Sequence, residues 1–207
     1  MKKTLVIWSA MLVLAGCGSV DRSRNLANPE VNGQTIARQV CSTCHGLTGN
    51  SVSPEYPKLA AQQPEYLIAQ IEKFKDQVRT DRLAQEIMAG MVRHLTDRQK
   101  SELAIYFSRQ TNPSQPVEND QLLAQGMALY RNGDPAQNTL ACVQCHGANA
   151  EGLGAIPRLA GQHVAYLSKE LKVFRDQHGR EGTPMTDTAR RLSDQDINAL
   201  AAYLSSL

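Results

Sequence analysis

The sequence predicts an all-α protein of two tandem domains related by internal duplication, and three observations predict it. Apolar residues recur at the helical period in each half. Pro57-Lys58-Leu59-Ala60 returns as Pro157-Arg158-Leu159-Ala160. Cys41-Ser42-Thr43-Cys44-His45 is restated about a hundred residues later as Cys142-Val143-Gln144-Cys145-His146.

The cysteine motif carries the chemistry. On a helix, residues three and four apart share a face, so each motif points two thiols and one imidazole in one direction. Cysteines at this spacing can form thioethers with the two vinyl groups of one haem, and the histidine that follows can lie under the porphyrin and bind the iron. A single such motif also fits half of a zinc site or a redox dithiol. A zinc site would need a further cysteine or histidine pair in each half, and only lone histidines remain. The repetition points instead to two covalently bound haem c groups. Domains of about ninety residues bury little apolar surface alone, and only 5% of the residues are aromatic. A haem in each half would supply the missing core, which predicts a poorly folded or molten apo chain.

The elements follow in order. Residues 1–16 read as an export signal, with Lys2 and Lys3 as its charged start and Leu5 to Leu14 as its apolar stretch, too short for an ordinary transmembrane helix. It ends in Leu14-Ala15-Gly16-Cys17, similar to a bacterial lipobox, which makes Cys17 the lipidation site and membrane anchor. The five cysteines then divide into two haem pairs and one anchor. Loss of Lys2 and Lys3 takes the formal charge from +2 to 0, leaving no basic patch for nucleic acid. Residues 17–32 are polar and read as a lipidated tether.

The first domain spans 33–111: a short helix from Gly33 to Val40, the haem motif, and a loop from Gly46 to Glu55. A helix from Pro64 to Gln77 carries Leu67, Ile68, Ile71 and Phe74 on one face. A last helix from Asp97 to Arg109 is opened by a Thr96/Gln99 capping box. Residues 112–119, with Pro113 and Pro116, have the composition of a linker. The second domain, 120–207, repeats this order: a leading helix from Gln121 to Tyr130, an insertion from Arg131 to Leu140, a helix from Val164 to Gln177, and a final helix opened by Ser193 and Asp196.

The second axial position decides what each haem can do: a thioether suits electron transfer, and an open site binds peroxide or a gas. Beyond the signal the methionines are Met88, Met91, Met127 and Met185. Met185 lies seven residues before Leu192, and Met88 seven before Leu95, so the repeat selects these two, with Met91 in reserve; the alternative role is core filling. His94, His163 and His178 lack counterparts in the other half and read as surface or packing residues. Pro57 and Pro157 follow the motif histidines by twelve and eleven residues. They are either loop prolines or carbonyl acceptors for the histidine's other ring nitrogen.

With these residues the chain resembles the di-haem cytochrome c4 family, which is built from two tandem class I cytochrome c domains. The resemblance runs from Gly33 to Leu207 through both haem motifs, the Pro-Lys/Arg-Leu-Ala segments with Gln62 and Gly161-Gln162, the two methionines and the Leu-Ser/Thr-Asp helix openings. It implies His45 with Met88 and His146 with Met185 at the irons, Pro57 and Pro157 on the histidine side, and helix crossings of Gly33 with Tyr106 and Gly126 with Tyr203. It also implies an electron carrier on the periplasmic side of a bacterial membrane, serving redox proteins such as a haem-copper terminal oxidase. Gly18 after Cys17 favours the outer membrane. Two departures stand out: Ala60-Ala61-Gln62 lacks the usual glycine before glutamine, and the lipobox marks a lipid-anchored form. The rival readings are a cytochrome subunit of a larger membrane oxidoreductase, and a di-haem enzyme of the peroxidase or thiosulfate dehydrogenase type.

Overall fold

The structure is a computed structural model, and it describes residues 23–180 and 182–207. The expected export signal and Cys17 lie outside the described residues. Among those residues the chain is helical, with two isolated β-bridges, and no helix is long and apolar enough to cross a membrane.

In the first half α1 (Gly33–Ile36) continues through a π-helical turn (Ala37–Cys41) into α2 (Ser42–His45), followed by α3 (Pro64–Lys75), α4 (Arg82–Val92) and α5 (Asp97–Ser108). The helix leading to the first haem motif therefore runs unbroken beyond Val40 to His45. Residues 82–85, for which no element is expected from sequence, form the first turn of α4. The capping box forms as expected, with Thr96 accepting from the Gln99 N–H and the Gln99 side chain accepting from the Thr96 N–H. Residues expected to form a free tether are partly folded in: Leu26 and Val31 pack on the first core, and Gln99 Nε2 donates to the carbonyls of Asn28 and Val31.

The second half comprises α6 (Asp120–Asn132), a 3-10 turn (Pro135–Gln137), α7 (Val143–His146), α8 (Val164–Arg175), α9 (Pro184–Ala189) and α10 (Asp194–Ser206). The insertion before the second motif closes on itself through paired backbone hydrogen bonds between Asp134 and Thr139 and through Asp134 capping the 3-10 turn. Ser193 and Asp196 form the second capping box.

Each half has its own apolar cluster. One gathers Ile36, Leu67, Phe74, Leu95, Leu103 and Phe107, the other Tyr130, Leu167, Phe174, Ile197, Leu200 and Tyr203. The duplication extends to single backbone hydrogen bonds. Ala61 N–H donates to Phe107 O at 3.0 Å and Gly161 N–H to Leu204 O at 2.8 Å. Ala61 keeps the left-handed conformation (φ 56°) that Gly161 occupies (φ 71°), so the missing glycine costs about 1–2 kcal/mol rather than a new turn.

The first helix of each half crosses the last at a glycine. A Cβ on Gly33 would lie 2.7 Å from Gln99 O, and one on Gly126 would lie 2.1 Å from Ala199 O and 2.8 Å from Tyr203 Cβ. The Gly126–Tyr203 crossing is as expected, whereas Gly33 meets Gln99, Glu102 and Leu103, one turn before Tyr106. Tyr106 instead donates to Leu47 O at 2.7 Å, pinning the loop after the first haem motif.

Gly126→Ala is expected to force α6 off α10 and to lower the stability of the haem-loaded protein by about 1–3 kcal/mol. Its denaturant midpoint, compared with the native protein's, checks this.

Candidate haem sites and the domain interface

The turn that ends in Cys41 and the following α2 place Cys41, Cys44 and His45 on one short helical run, and α7 does the same for Cys142, Cys145 and His146. All four thiols are free. Burial pushes the thiols of Cys41 and Cys142 up to about 11, so both are neutral at neutral pH.

The two imidazoles are 7% and 5% exposed. His45 Nδ1 lies 2.9 Å from Pro57 O and His146 Nδ1 lies 3.0 Å from Pro157 O. A carbonyl only accepts, so Nδ1 carries the proton and the lone pair sits on Nε2. Burial depresses both imidazole pKa values, against the opposing pull of the proline carbonyl, and keeps the rings neutral. Neither Nε2 has a hydrogen-bond partner among the described residues. A neutral imidazole with its back nitrogen saturated and its front lone pair free is what an iron ligand requires.

The methionines divide by packing. Met88 lies against the same cluster as Cys41, and Met185 against the same cluster as Cys142, both partly buried. Met91 and Met127 are 45% and 38% exposed. Among the described residues no group of three or more His, Cys, Asp or Glu side chains could hold a bare metal ion. The donor set in each half, two thiols, a neutral imidazole and a nearby thioether, fits a haem.

The family model for cytochrome c matches twice, over residues 30–110 and 123–207. A cytochrome c4 of Thiocapsa roseopersicina is 40% identical over 185 residues, covering 84% of this chain and 91% of its own. The chain belongs to the di-haem cytochrome c4 family. The solved structure of Acidithiobacillus ferrooxidans cytochrome c4 superposes with a TM-score of 0.75 at 34% identity, covering 81% of this chain and 98% of that one. A protein of Thiomonas intermedia named a thiosulfate dehydrogenase electron acceptor is 33% identical over 174 residues, covering 80% of this chain and 77% of its own. Membership brings two covalently bound haem c groups, one for each cytochrome c domain, and an electron-carrying role.

The residues that join the two halves were not read from sequence. In sequence Gln62 and Gln162 are only parts of a repeated segment, yet each side chain brackets the backbone N–H and C=O of one residue of the other domain. Gln162 Oε1 accepts from Lys58 N–H at 2.9 Å while its Nε2 donates to Lys58 O at 2.9 Å. Gln62 does the same for Arg158, at 2.7 and 3.0 Å. Nearby, Arg79 pairs with Asp81 through two hydrogen bonds and approaches Glu170 at 3.6 Å, while Arg180 pairs with Glu170 at 2.7 Å. All four charged residues are buried, and the arginines stack on Phe74 and Phe174. The only trace in sequence is an arginine five or six residues after each of these phenylalanines.

His163, read as surface or packing, is a packing residue at this interface. Its Nδ1 takes a hydrogen bond from Gln115 Nε2 at 3.2 Å, and its Nε2–H faces Ser51 O at 3.0 Å and Ser51 Oγ at 2.9 Å. The Ser51 hydroxyl donates onward to Tyr56 O. This wiring accepts only the neutral ring. Burial and then the Lys58 ammonium depress its pKa, opposed by the Ser51 carbonyl.

A histidine whose folded pKa lies below its unfolded value contributes stability above about pH 6.5 that is lost as the pH falls through that value. His163→Gln, which installs the Gln63 counterpart, is expected to reduce the acid sensitivity of unfolding between about pH 6.5 and 5. Denaturant midpoints across that range, relative to the native protein, measure it.

Proposed function

We propose that the protein is a lipid-anchored di-haem carrier that passes electrons between redox proteins on the periplasmic side of a bacterial membrane. The observation that carries this is the matched pair of buried neutral imidazoles, each backed by a proline carbonyl, in motifs whose first cysteine packs on the same core as a partly buried methionine. In this reading Cys41 and Cys44 hold one haem, Cys142 and Cys145 the other, and His45 with Met88 and His146 with Met185 are the axial ligands. The bound haem supplies a one-electron couple. The chain's residues keep the same two donors in both oxidation states: Pro57 and Pro157 fix the rings, and the packed cores hold the methionine side chains in place. A constant ligand set limits reorganisation, and thioether ligation raises the potential.

Cys17 would carry the lipid, with the outer membrane favoured, and the electron acceptor would be a terminal oxidase of a respiratory chain. A second reading is supported by the relative named as a thiosulfate dehydrogenase electron acceptor. There the chain serves as the cytochrome partner of a larger oxidoreductase, and stable co-purification with that complex separates the two readings.

Two measurements test the proposal. The oxidised haem-loaded protein is expected to show the red charge-transfer band of iron–methionine bonds at both haems, half of it lost in Met88→Ala and half in Met185→Ala. Full retention in Met88→Ala with loss in Met91→Ala would move the ligand to Met91, and a high-spin haem in the native protein would favour an enzyme. Separately, Cys17→Ser is expected to transfer the protein from the detergent phase to the aqueous phase on partitioning.

A further inference from the structure

The peptide group between Pro57 and Lys58 is engaged at both ends. Its carbonyl faces His45 Nδ1 at 2.9 Å, and its N–H donates to Gln162 Oε1 at 2.9 Å. The peptide between Pro157 and Arg158 repeats this, with His146 Nδ1 at 3.0 Å on one end and Gln62 Oε1 at 2.7 Å on the other. The described residues contain no cis peptide bond, so in each group C=O and N–H point in opposite directions. An unbroken chain of hydrogen bonds therefore runs from each haem-motif imidazole through one peptide into a glutamine of the other domain.

These glutamines are held in place. Gln162 Oε1 also accepts from His163 N–H at 3.0 Å, and Gln62 Oε1 from Gln63 N–H at 2.9 Å. Gln62, Gln162 and Lys58 are all buried, so water does not compete for the same groups. A hydrogen bond donated from the N–H end of a peptide pushes electron density toward its carbonyl oxygen, and linked bonds strengthen one another. A stronger carbonyl acceptor pulls harder on Nδ1–H and makes the imidazole a better donor through Nε2.

We propose that Gln162 is a positioning residue for His45, and Gln62 for His146, so that each domain sets the donor strength of the other domain's haem histidine. This rests on the reading of His45 and His146 as iron ligands. A stronger imidazole donor favours the oxidised iron, so the native brackets hold both potentials down, and removing one raises the potential in the opposite domain.

The experiment uses the full haem-loaded protein with Gln162→Met and Gln62→Met. Redox titration is followed by the paramagnetically shifted resonances of each haem, with amide exchange at Lys58 and Arg158 as a control. Gln162→Met is expected to raise the potential of the His45 haem alone and to shift the His45 Nδ1–H resonance. Gln62→Met is expected to do the same for His146. An equal shift of both haems, a shift confined to the substituted domain, or unchanged potentials with accelerated Lys58 exchange would overturn the proposal.

If methionine opens the interface, with exchange rising at both Lys58 and Arg158, Gln162→Glu decides. It keeps an oxygen on the Lys58 N–H and is expected to move the His45 Nδ1–H resonance in the direction of a stronger hydrogen bond; no movement, or the reverse, overturns the proposal. Failure of the ligation reading looks different, since it shows in the unsubstituted protein as a spectrum without histidine–methionine haems.

Discussion

The hydrogen bond from each motif imidazole to a proline carbonyl is the constraint on which the rest of the structure depends. It settles which nitrogen holds the proton, and so leaves Nε2 as the donor on the haem side. To make that bond, Pro57 and Pro157 must stand a fixed distance from helices α2 and α7, and several features serve this placement. Leu59 and Leu159 return backbone hydrogen bonds to Gly49 and Ala150, and the next turn is tied to the last helix of its own domain through Ala61 and Gly161. That last helix is in turn held to the first by the glycine crossings at Gly33 and Gly126. The geometry of the ring thus traces back to the contact between the first and last helices of each domain.

The same proline segments build the interface. Because each carbonyl end is occupied by a histidine, the N–H of the same peptide and the next carbonyl are left facing outward from the domain. Alone, each domain would expose these groups to water; together, the two are satisfied by Gln62 and Gln162 in a reciprocal arrangement. Buried polar groups of this kind cost about 1–3 kcal/mol each when left unpaired, so they favour one docking register over its neighbours. The linker reinforces that register. Asn112 donates to Ala160 O, Pro113 O accepts from Lys58 Nζ, and Gln115 reaches both Ser205 O and His163. Pro113 and Pro116 suggested a spacer, but the side chains between the domains make it part of the joint.

The candidate site could be proposed from sequence because its chemistry is local. Cys41, Cys44 and His45 are close in the chain before they are close in space, and the duplication supplied an internal control that singled out Met88 and Met185. The capping boxes at Thr96 and Ser193 span only three residues and formed as expected. Contacts between distant segments left no comparable pattern. Gln162 meeting Lys58, or Arg79 meeting Glu170, obeys no helical period, and a buried glutamine looks like a surface glutamine in a single sequence. The folded stretch near Leu26 and Val31 was hidden for a related reason: a polar composition masks two apolar anchors whose core is assembled from segments spread over the whole first half.

The duplication is imperfect in where its buried charges sit. Gln70 and Glu170 occupy corresponding places on α3 and α8, each bonded to the arginine of its own domain. A neutral amide stands on one side and a carboxylate on the other. Asp81 adds a second buried carboxylate beside Arg79, against Gly182 at the corresponding position near Arg180. Each half therefore holds one buried arginine and one buried carboxylate, set at different places. The hydrogen-bonded frame is shared by both halves, and the charges set into it are not. Each half thus neutralises its own buried arginine by a different route, through Asp81 just before α4 in one and through Glu170 on α8 in the other.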